Sequence, residues 1–174
     1  MRRARHRCAL LASLFLACMA IGAALGGGLY EGLVLTPLWS AAPPRSFSII
    51  QPGRGVPLQT FWIPVHAVVT IGMLAALVLG WRDAGVRRLV LLGLTAYVVM
   101  RAWSFAYFIP EMLAFQEVPL DRPPTAELSS RVDRWTSLSW LRLPLDLVAA
   151  ISFLFALTRG AFGDGLASRS SPIR

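Results

Sequence analysis

The sequence lacks lysine entirely, so its 17 basic residues are all arginine, and it contains only two histidines and two cysteines. Charged residues make up 15% of the chain, whereas soluble globular proteins have roughly 25%. Apolar residues make up 56% of the 174 positions, and the mean hydropathy is +0.60. This composition is typical of a membrane protein and leaves room for a single membrane domain over residues 1–174.

The few cysteines and histidines exclude several site types. Cys8 and Cys18 lie ten residues apart in one apolar run, about 15 Å along a helix, so they cannot form a disulfide with each other. Without a CxxC pair, membrane thiol–disulfide chemistry is not expected. His6 and His66 lie toward opposite ends of the predicted bundle, which excludes bis-histidine haem ligation within one subunit. No Cys/His cluster indicates a metal site, and no phosphate loop or serine nucleophile elbow is present, so we predict no cofactor.

The formal charge of +8 would suit nucleic acid, but the arginine distribution indicates another partner. Most arginines flank apolar stretches, which is the topology signal of membrane proteins and attracts anionic lipid headgroups. We therefore predict membrane lipids as partners and no nucleic acid. The flanking arginines are Arg2, Arg3, Arg5, Arg7, Arg82, Arg87, Arg88, Arg159, Arg169 and Arg174.

Four apolar runs of 20 to 23 residues cover 8–30, 61–81, 89–109 and 138–157. A helix needs about 20 residues to cross the hydrocarbon of a bilayer, and an isolated strand could not satisfy its backbone there. The fold class predicted is therefore all-α, a polytopic membrane four-helix bundle.

Arginine density predicts the orientation of these spans. Residues 1–7, 82–88 and 158–174 hold ten arginines in 31 positions, against five in 58 for residues 31–60 and 110–137. The richer set is expected inside, so both termini and the loop 82–88 are cytoplasmic. The long loops 37–60 and 110–137 are then extracytoplasmic, and the membrane is the cell inner membrane.

The first apolar run has an alternative reading as a cleaved signal. It has a basic start, and Gly22-Ala23-Ala24 resembles a cleavage site, while the residues before Cys18 loosely resemble a lipoprotein site. The run is longer than a signal core, and removing it would leave three spans, so we expect it to be retained.

The two long loops differ in their predicted structure. The first, rich in proline from Pro37 to Pro57, is expected to contain extended segments and no regular helix. The second is expected to be helical from Thr125, with Leu128, Val132, Trp135 and Leu138 along one stripe that leads into the fourth span.

Ionisable residues within spans are costly and demand a reason, and here they fall in one layer in the outer half. Arg142 and Asp146 are four residues apart, so they are expected to pair on one face of the fourth span. Pro144 between them is expected to kink that span and to leave the Trp140 carbonyl free. The layer is either a polar pocket or a set of ion pairs that fasten the helices. Its members are Glu31, His66, Arg101, Glu111, Arg142 and Asp146.

Six short motifs stand out along the chain: Gly28-Leu29-Tyr30-Glu31, Pro37-Leu38-Trp39, Pro43-Pro44-Arg45-Ser46, Phe61-Trp62-Ile63-Pro64, Arg134-Trp135 and Trp140-Leu141-Arg142. Together they resemble the anthrone-oxygenase-like family of small four-span membrane proteins over residues 15–158. The resemblance implies oxidation of an activated phenolic or anthrone-type carbon by O₂ without metal or flavin. A base removes a C–H proton, and the carbanion then reacts with oxygen.

For such chemistry we predict His66 as the base, because its ordinary pKa lies near neutrality. Arg101 or Arg142 would stabilise the enolate oxygen, with Asp146 beside them. Residues near the mouth would hold a hydrophobic small molecule: Glu31, Trp39, Trp62, Tyr107 and Trp140. Two alternatives stay open, a non-enzymatic protein that binds lipid or quinone or supports a partner complex, and a small exporter acting as a homo-oligomer.

Overall fold

The computed structural model describes residues 1–167, with side chains through Phe162, and this part of the chain contains helices and turns but no strand. Four of its helices are long and apolar enough to cross a membrane, which confirms the all-α class. Arg169 and Arg174, counted in the orientation argument, lie outside the described residues. The α-helices are α1 Arg2–Tyr30, α2 Thr36–Ser40, α3 Leu58–Gly80, α4 Ala84–Trp103, α5 Ile109–Gln116, α6 Ala126–Ser139 and α7 Arg142–Ala167.

The first long helix extends ten residues beyond its predicted end. After α1 it continues through a π-helical segment, Glu31–Leu35, directly into α2, so the helix spans Arg2–Ser40. Pro37, expected to open an irregular loop, instead stands in the first turn of α2. The start of a helical turn tolerates proline because the backbone N–H there needs no partner within that turn.

The rest of the first loop is not extended, and that prediction was wrong. A 3₁₀ helix, Arg45–Ile49, folds the chain back before α3 begins. The Ser46 hydroxyl fixes this turn, because it donates to the Trp39 carbonyl at 2.6 Å and accepts from the Ala42 N–H at 3.1 Å. Gly53 then adopts a left-handed conformation (φ 74°), which suits glycine.

The third long helix also passes through a π-helical segment. After α4 the chain continues through Ser104–Phe108 into α5, so the helix ends at Gln116 and not near the predicted 109. The helix predicted from Thr125 is confirmed. Thr125 caps α6 by accepting the Leu128 N–H at 3.2 Å, and Leu128, Val132 and Trp135 are buried along one face.

The expectations for Pro144 and the Trp140 carbonyl were wrong. α6 ends at Ser139 and α7 begins at Arg142, so Pro144 lies in the first turn of a new helix and kinks nothing. The Trp140 carbonyl is also not free, because it accepts the Leu143 N–H at 3.2 Å. A break between two helices thus replaces the expected kink within one.

The long helices pack as a ring in which α1 contacts α3 and α7, and α4 contacts α7 and, less extensively, α3. The approach of α1 to α3 is close, since a Cβ on Gly72 would lie 3.2 Å from the backbone of Ala17. The bundle core is apolar and runs along this ring, with Leu14, Ala17, Val69, Met73, Ala76, Val86, Val90, Phe153 and Ala156 among its fully or almost fully buried members.

A second apolar cluster, which we call the cap core, closes the bundle at the end opposite the chain's N-terminus. It joins α2, the 3₁₀ helix, the second π segment, α5 and α6. Trp39 lies at its centre, with ring centroids 5.2 Å from Trp135, 5.9 Å from Phe115 and 6.1 Å from Phe47. We call this end of the molecule the cap end and the other the arginine end.

Outside these two cores, the long helices present apolar side chains to their surroundings. Of the most apolar 18-residue window in each, only 22–33% is buried inside the structure. Soluble monomers rarely expose apolar surface on this scale. The surface therefore matches helices that face lipid hydrocarbon, with Phe15, Met19, Ile63, Ile71, Val78, Leu92, Val98, Phe105, Ile151, Leu154 and Phe155 among the exposed side chains.

Candidate functional site

Residues from all four long helices meet in a polar layer below the cap core, which we call the polar cluster. Glu31 opens the first π segment, and the other members lie on the facing turns of α3, α4 and α7. The layer lies between two apolar cores, so its polar groups have few partners other than one another. Its members are Glu31, Trp62, His66, Thr70, Tyr97, Arg101, Arg142 and Asp146.

Glu31 and Trp62 join the first helix to α3. The Trp62 indole Nε1 donates to Glu31 Oε2 at 2.7 Å, a short bond to a half-buried carboxylate. The same indole stacks on the His66 imidazole, with centroids 5.4 Å apart and the rings inclined by 19°. Trp62 therefore holds the position of His66 while bonding to Glu31.

His66 lies at the centre of a hydrogen-bond network between α3 and α4. Its Nδ1 is 3.2 Å from the Tyr97 hydroxyl, which is also 3.2 Å from Thr70 Oγ1 and 3.3 Å from the His66 carbonyl. Thr70 donates to that carbonyl at 2.7 Å. In the tautomer with the proton on Nδ1, His66 donates to Tyr97, Tyr97 donates to Thr70, and Thr70 donates to the carbonyl. Every donor is then used, and Nε2 is left as a proton acceptor.

The ion pair predicted between Arg142 and Asp146 is not formed. Neither side chain belongs to a salt bridge within 4.0 Å among the described residues, where the ion pairs are Arg131–Glu111 at 3.0 Å and Arg159–Asp83 at 3.6 Å. Arg142, the first residue of α7, extends toward the cap core and away from Asp146, because its guanidinium lies over the rings of Phe108 and Trp135.

The two arginines of the cluster bind aromatic faces instead. The Arg142 guanidinium lies 4.1 Å from the ring centroid of Phe108 and 5.6 Å from that of Trp135, and its Nε donates to the Ser139 carbonyl at 3.4 Å. Arg101 lies 4.6 Å above the Phe105 ring. Such cation–π contacts compensate part of the cost of removing a guanidinium from water without neutralising its charge.

The Asp146 side chain makes no hydrogen bond or ion pair within the described part of the chain. Its carboxyl group nevertheless lies within electrostatic range of both arginines and of Tyr97. Arg142 is also within range of Glu31 and Arg101. The layer therefore holds two guanidinium and two carboxyl groups that interact electrostatically without forming a direct ion pair. Such a group can respond to a charged or ionising ligand, because none of its arginines is held by a carboxylate.

The other residues predicted from the sequence lie elsewhere. Trp39 is fully buried in the cap core, where its Nε1 has no hydrogen-bond partner. Tyr107 packs edge-on against Phe108 with centroids 5.0 Å apart, and Glu111 pairs with Arg131. Trp140 lies near the polar cluster, because a Cβ on Gly32 would come within 3.0 Å of its ring.

Sequence reasoning missed Tyr97 and Thr70 as members of the site. The signal was present, since Thr70 is four residues after His66 and Tyr97 four residues before Arg101. In a helix this spacing places both members of each pair on one face. What the sequence lacked was the pairing of α3 with α4, which brings the two faces together.

Two clefts lie at the arginine end, away from the polar cluster, with volumes of about 540 and 570 Å³. Within the described residues, no group of three or more His, Cys, Asp or Glu side chains could hold a metal ion. No known protein family, curated protein or solved structure matches the chain. The resemblance to the anthrone-oxygenase-like family therefore stays a prediction.

Proposed function

We propose that the chain is an integral protein of the cell inner membrane, with both termini in the cytoplasm and the cap end outside. The exposed apolar faces of the long helices and the arginines at the opposite end support this arrangement. The structure offers a test through its cysteines. Cys8 is exposed at the arginine end, so a membrane-impermeant maleimide added to intact cells should leave it unlabelled. An Arg54→Cys variant, with its new thiol in the exposed turn before α3, should react.

We further propose that the polar cluster binds a phenol- or anthrone-type molecule and removes a proton from it for oxidation by O₂. The observation that carries this proposal is the 3.2 Å contact between His66 Nδ1 and the Tyr97 hydroxyl: when Nδ1 donates to that hydroxyl, Nε2 is left as an oriented base. The two arginines without carboxylate partners supply positive charge near that base. An enolate oxygen developing beside Arg101 or Arg142 would be stabilised by this charge.

The proposed reaction balances without a cofactor. His66 Nε2 takes a proton from the activated CH₂ carbon, and the resulting carbanion gives one electron to O₂. The carbon radical and superoxide combine to form a C–O bond, and the peroxide anion regains the proton from His66. Loss of water across the O–O bond then leaves a ketone. One O₂ is consumed per substrate, one water is released, and the CH₂ becomes a C=O.

A second candidate function, binding of a lipid or quinone without chemistry, is favoured by the burial of Tyr97 beside His66. Tyr97 is only 5% exposed, and the two clefts lie at the other end of the molecule. A non-enzymatic site needs no approach of O₂ to a reacting carbon. In that case the two arginines would bind a quinone oxygen, and His66 would be a hydrogen-bond donor only.

Oxygen uptake separates the two candidates. We would supply detergent-purified protein with an anthrone or a hydroquinone panel, and compare the natural chain with His66→Ala and Gln59→Ala. Gln59 is exposed on the same helix two turns away and serves as the matched control. Removal of a general base should lower uptake by about 10²–10⁴-fold, with Gln59→Ala unchanged. Uptake that is indifferent to His66 would refute its role, and no uptake from folded protein would favour the binding function.

A further inference from the structure

The arginine end carries two adjoining clefts that the proposed reaction does not use. The larger, about 570 Å³, lies between the start of α1, the end of α3 and α7. The other, about 540 Å³, lies along the end of α3. His6, Leu79 and Arg82 line both, so the two clefts adjoin, and we call them together the groove.

The larger cleft is strongly basic. Five arginines line it, Arg2, Arg3, Arg7, Arg82 and Arg159, against the single carboxylate of Asp83. That carboxylate is already engaged, because it caps α4 through the N–H groups of Gly85 and Val86 and pairs with Arg159 at 3.6 Å. The side chains of Arg2, Arg3 and Arg82 make no hydrogen bond or ion pair within the described part of the chain, so no carboxylate there neutralises the charge that they bring to the cleft.

The adjoining cleft is apolar. Leu77, Val78 and Trp81 line it, and the exposed fractions of Val78 and Trp81 are 73% and 53%. The groove therefore passes from a cationic section at the chain's N-terminus to an apolar section on the side of α3 that would face acyl chains. A free anion would use only the first section, and a nucleic acid would gain nothing from the second.

We infer that this groove binds an anionic phospholipid of the phosphatidylglycerol type. The phosphate would lie among Arg2, Arg3 and Arg82, and an acyl chain would follow Leu77 and Trp81. Basic pockets between helices at the cytoplasmic face have the chemistry that recognises anionic headgroups. The inference rests only on the membrane placement in the proposed function, and it is independent of the reaction at His66.

Trp81 offers a reporter for this site, because the other five tryptophans belong to the cap end. We would reconstitute the protein with brominated-chain phosphatidylglycerol or brominated-chain phosphatidylcholine and measure quenching of tryptophan fluorescence. A Trp81→Phe variant gives the part of the signal that Trp81 contributes. Phosphatidylglycerol should quench that part at several-fold lower mole fraction than phosphatidylcholine. Arg82→Gln should weaken the preference about five-fold, from about 1 kcal/mol per basic residue at the surface.

Arg54→Gln is the matched control, because Arg54 is exposed at the cap end. This substitution should leave the preference for phosphatidylglycerol unchanged. Equal quenching by the two lipids would overturn the inference. An equal loss of the phosphatidylglycerol preference in Arg82→Gln and Arg54→Gln would also overturn it. Displacement of the lipid by millimolar inorganic phosphate would assign the site to a free anion and overturn it as well. If only the cap-end tryptophans are quenched, the lipid site fails while the membrane placement stands. Oxygen uptake by the Arg82→Gln variant reports on the proposed reaction separately.

Discussion

The hydrogen bond between Tyr97 and His66 gives the sharpest prediction for the polar cluster. Replacing Tyr97 by Phe removes one hydroxyl and keeps the ring, which is 5% exposed and packed in the bundle core. The Thr70 hydroxyl still donates to the His66 carbonyl at 2.7 Å. The change therefore deletes the partner of His66 Nδ1 without opening a cavity of any size.

The magnitude follows from the bonds that are lost. The hydroxyl has one proton and lies within 3.3 Å of Nδ1, Thr70 Oγ1 and the His66 carbonyl, so it donates to one of them. A net hydrogen bond contributes about 0.5–1.5 kcal/mol in proteins, and about 0.6 kcal/mol on average between membrane helices. We expect Tyr97→Phe to lower the free energy of unfolding by about 1 kcal/mol. If the hydroxyl orients the base, uptake of oxygen should fall much further than this loss of stability implies.

A double-mutant cycle tests the coupling. Unfolding in mixed micelles would be followed for the natural chain, Tyr97→Phe, His66→Ala and the double variant. We expect Tyr97→Phe to cost little once His66 is absent, which corresponds to a coupling free energy of about 0.5–1 kcal/mol. Additive effects, within about 0.3 kcal/mol, would mean that the hydroxyl does not act through the imidazole. That result would refute the role given to Tyr97 in orienting His66.

Two further substitutions test the packing and capping of α4. A Cβ on Gly93 would lie 2.7 Å from the fully buried Phe153 ring, so Gly93→Ala should lower the free energy of unfolding by about 1–3 kcal/mol. Gly22→Ala is the control, because its Cβ would meet no atom within 4 Å, and it should stabilise α1 by up to about 1 kcal/mol. Equal changes in the free energy of unfolding for Gly93→Ala and Gly22→Ala would refute the reasoning. Hydrogen bonds from the Val86 and Gly85 N–H groups hold the pKa of Asp83 below its usual range, so stability should fall as pH drops below about 4. Asp83→Asn should keep the helix cap and lose this pH dependence, which denaturation measured from pH 7 to 3 would show. If stability depends on pH in the same way in Asp83→Asn, the dependence belongs to another ionisable group.

Much of the helical architecture could be predicted from the sequence, because it depends on local properties. Apolar runs of sufficient length require helices in lipid, and the stripe from Leu128 to Trp135 indicated α6 by its spacing alone. The ends of the helices were harder to predict. Pro37 and Pro110 are ordinary signals for a helix to stop, yet each follows a π segment that lets the helix restart around the proline. Nothing in the local sequence signals such a segment.

The polar cluster was predictable as a layer and not as a set of contacts. Charges within spans identify the level of the bilayer at which they lie, so Glu31, His66, Arg101 and Asp146 could be grouped correctly. The partner of each side chain depends on which helix faces which. The predicted pairing of Arg142 with Asp146 rested on helical spacing, and it failed because the Arg142 guanidinium lies over Phe108 and Trp135, rings that only the tertiary packing of the cap core brings next to α7.

The first π segment connects the cap core to the polar cluster, and its geometry makes a last prediction. In an uninterrupted α-helix at about 100° per residue, Glu31 and Trp39 would point about 80° apart. One extra residue in the turn reduces this to about 20°, so both side chains face inward. Inserting one alanine after Leu33, which is 65% exposed in that segment, adds about 100° and should rotate the fully buried Trp39 away from Phe47 and the rest of the cap core. Deleting Leu33 is the matched control, because the seven remaining α-helical steps keep the two side chains about 20° apart and should leave Trp39 buried. The bundle core lies below and should persist. We therefore expect the insertion to give red-shifted tryptophan emission and faster proteolysis of the cap, with little change in helix content by circular dichroism. If Trp39 stays protected after the insertion, the π segment does not set the register of the cap, and the cap core alone determines where α2 lies.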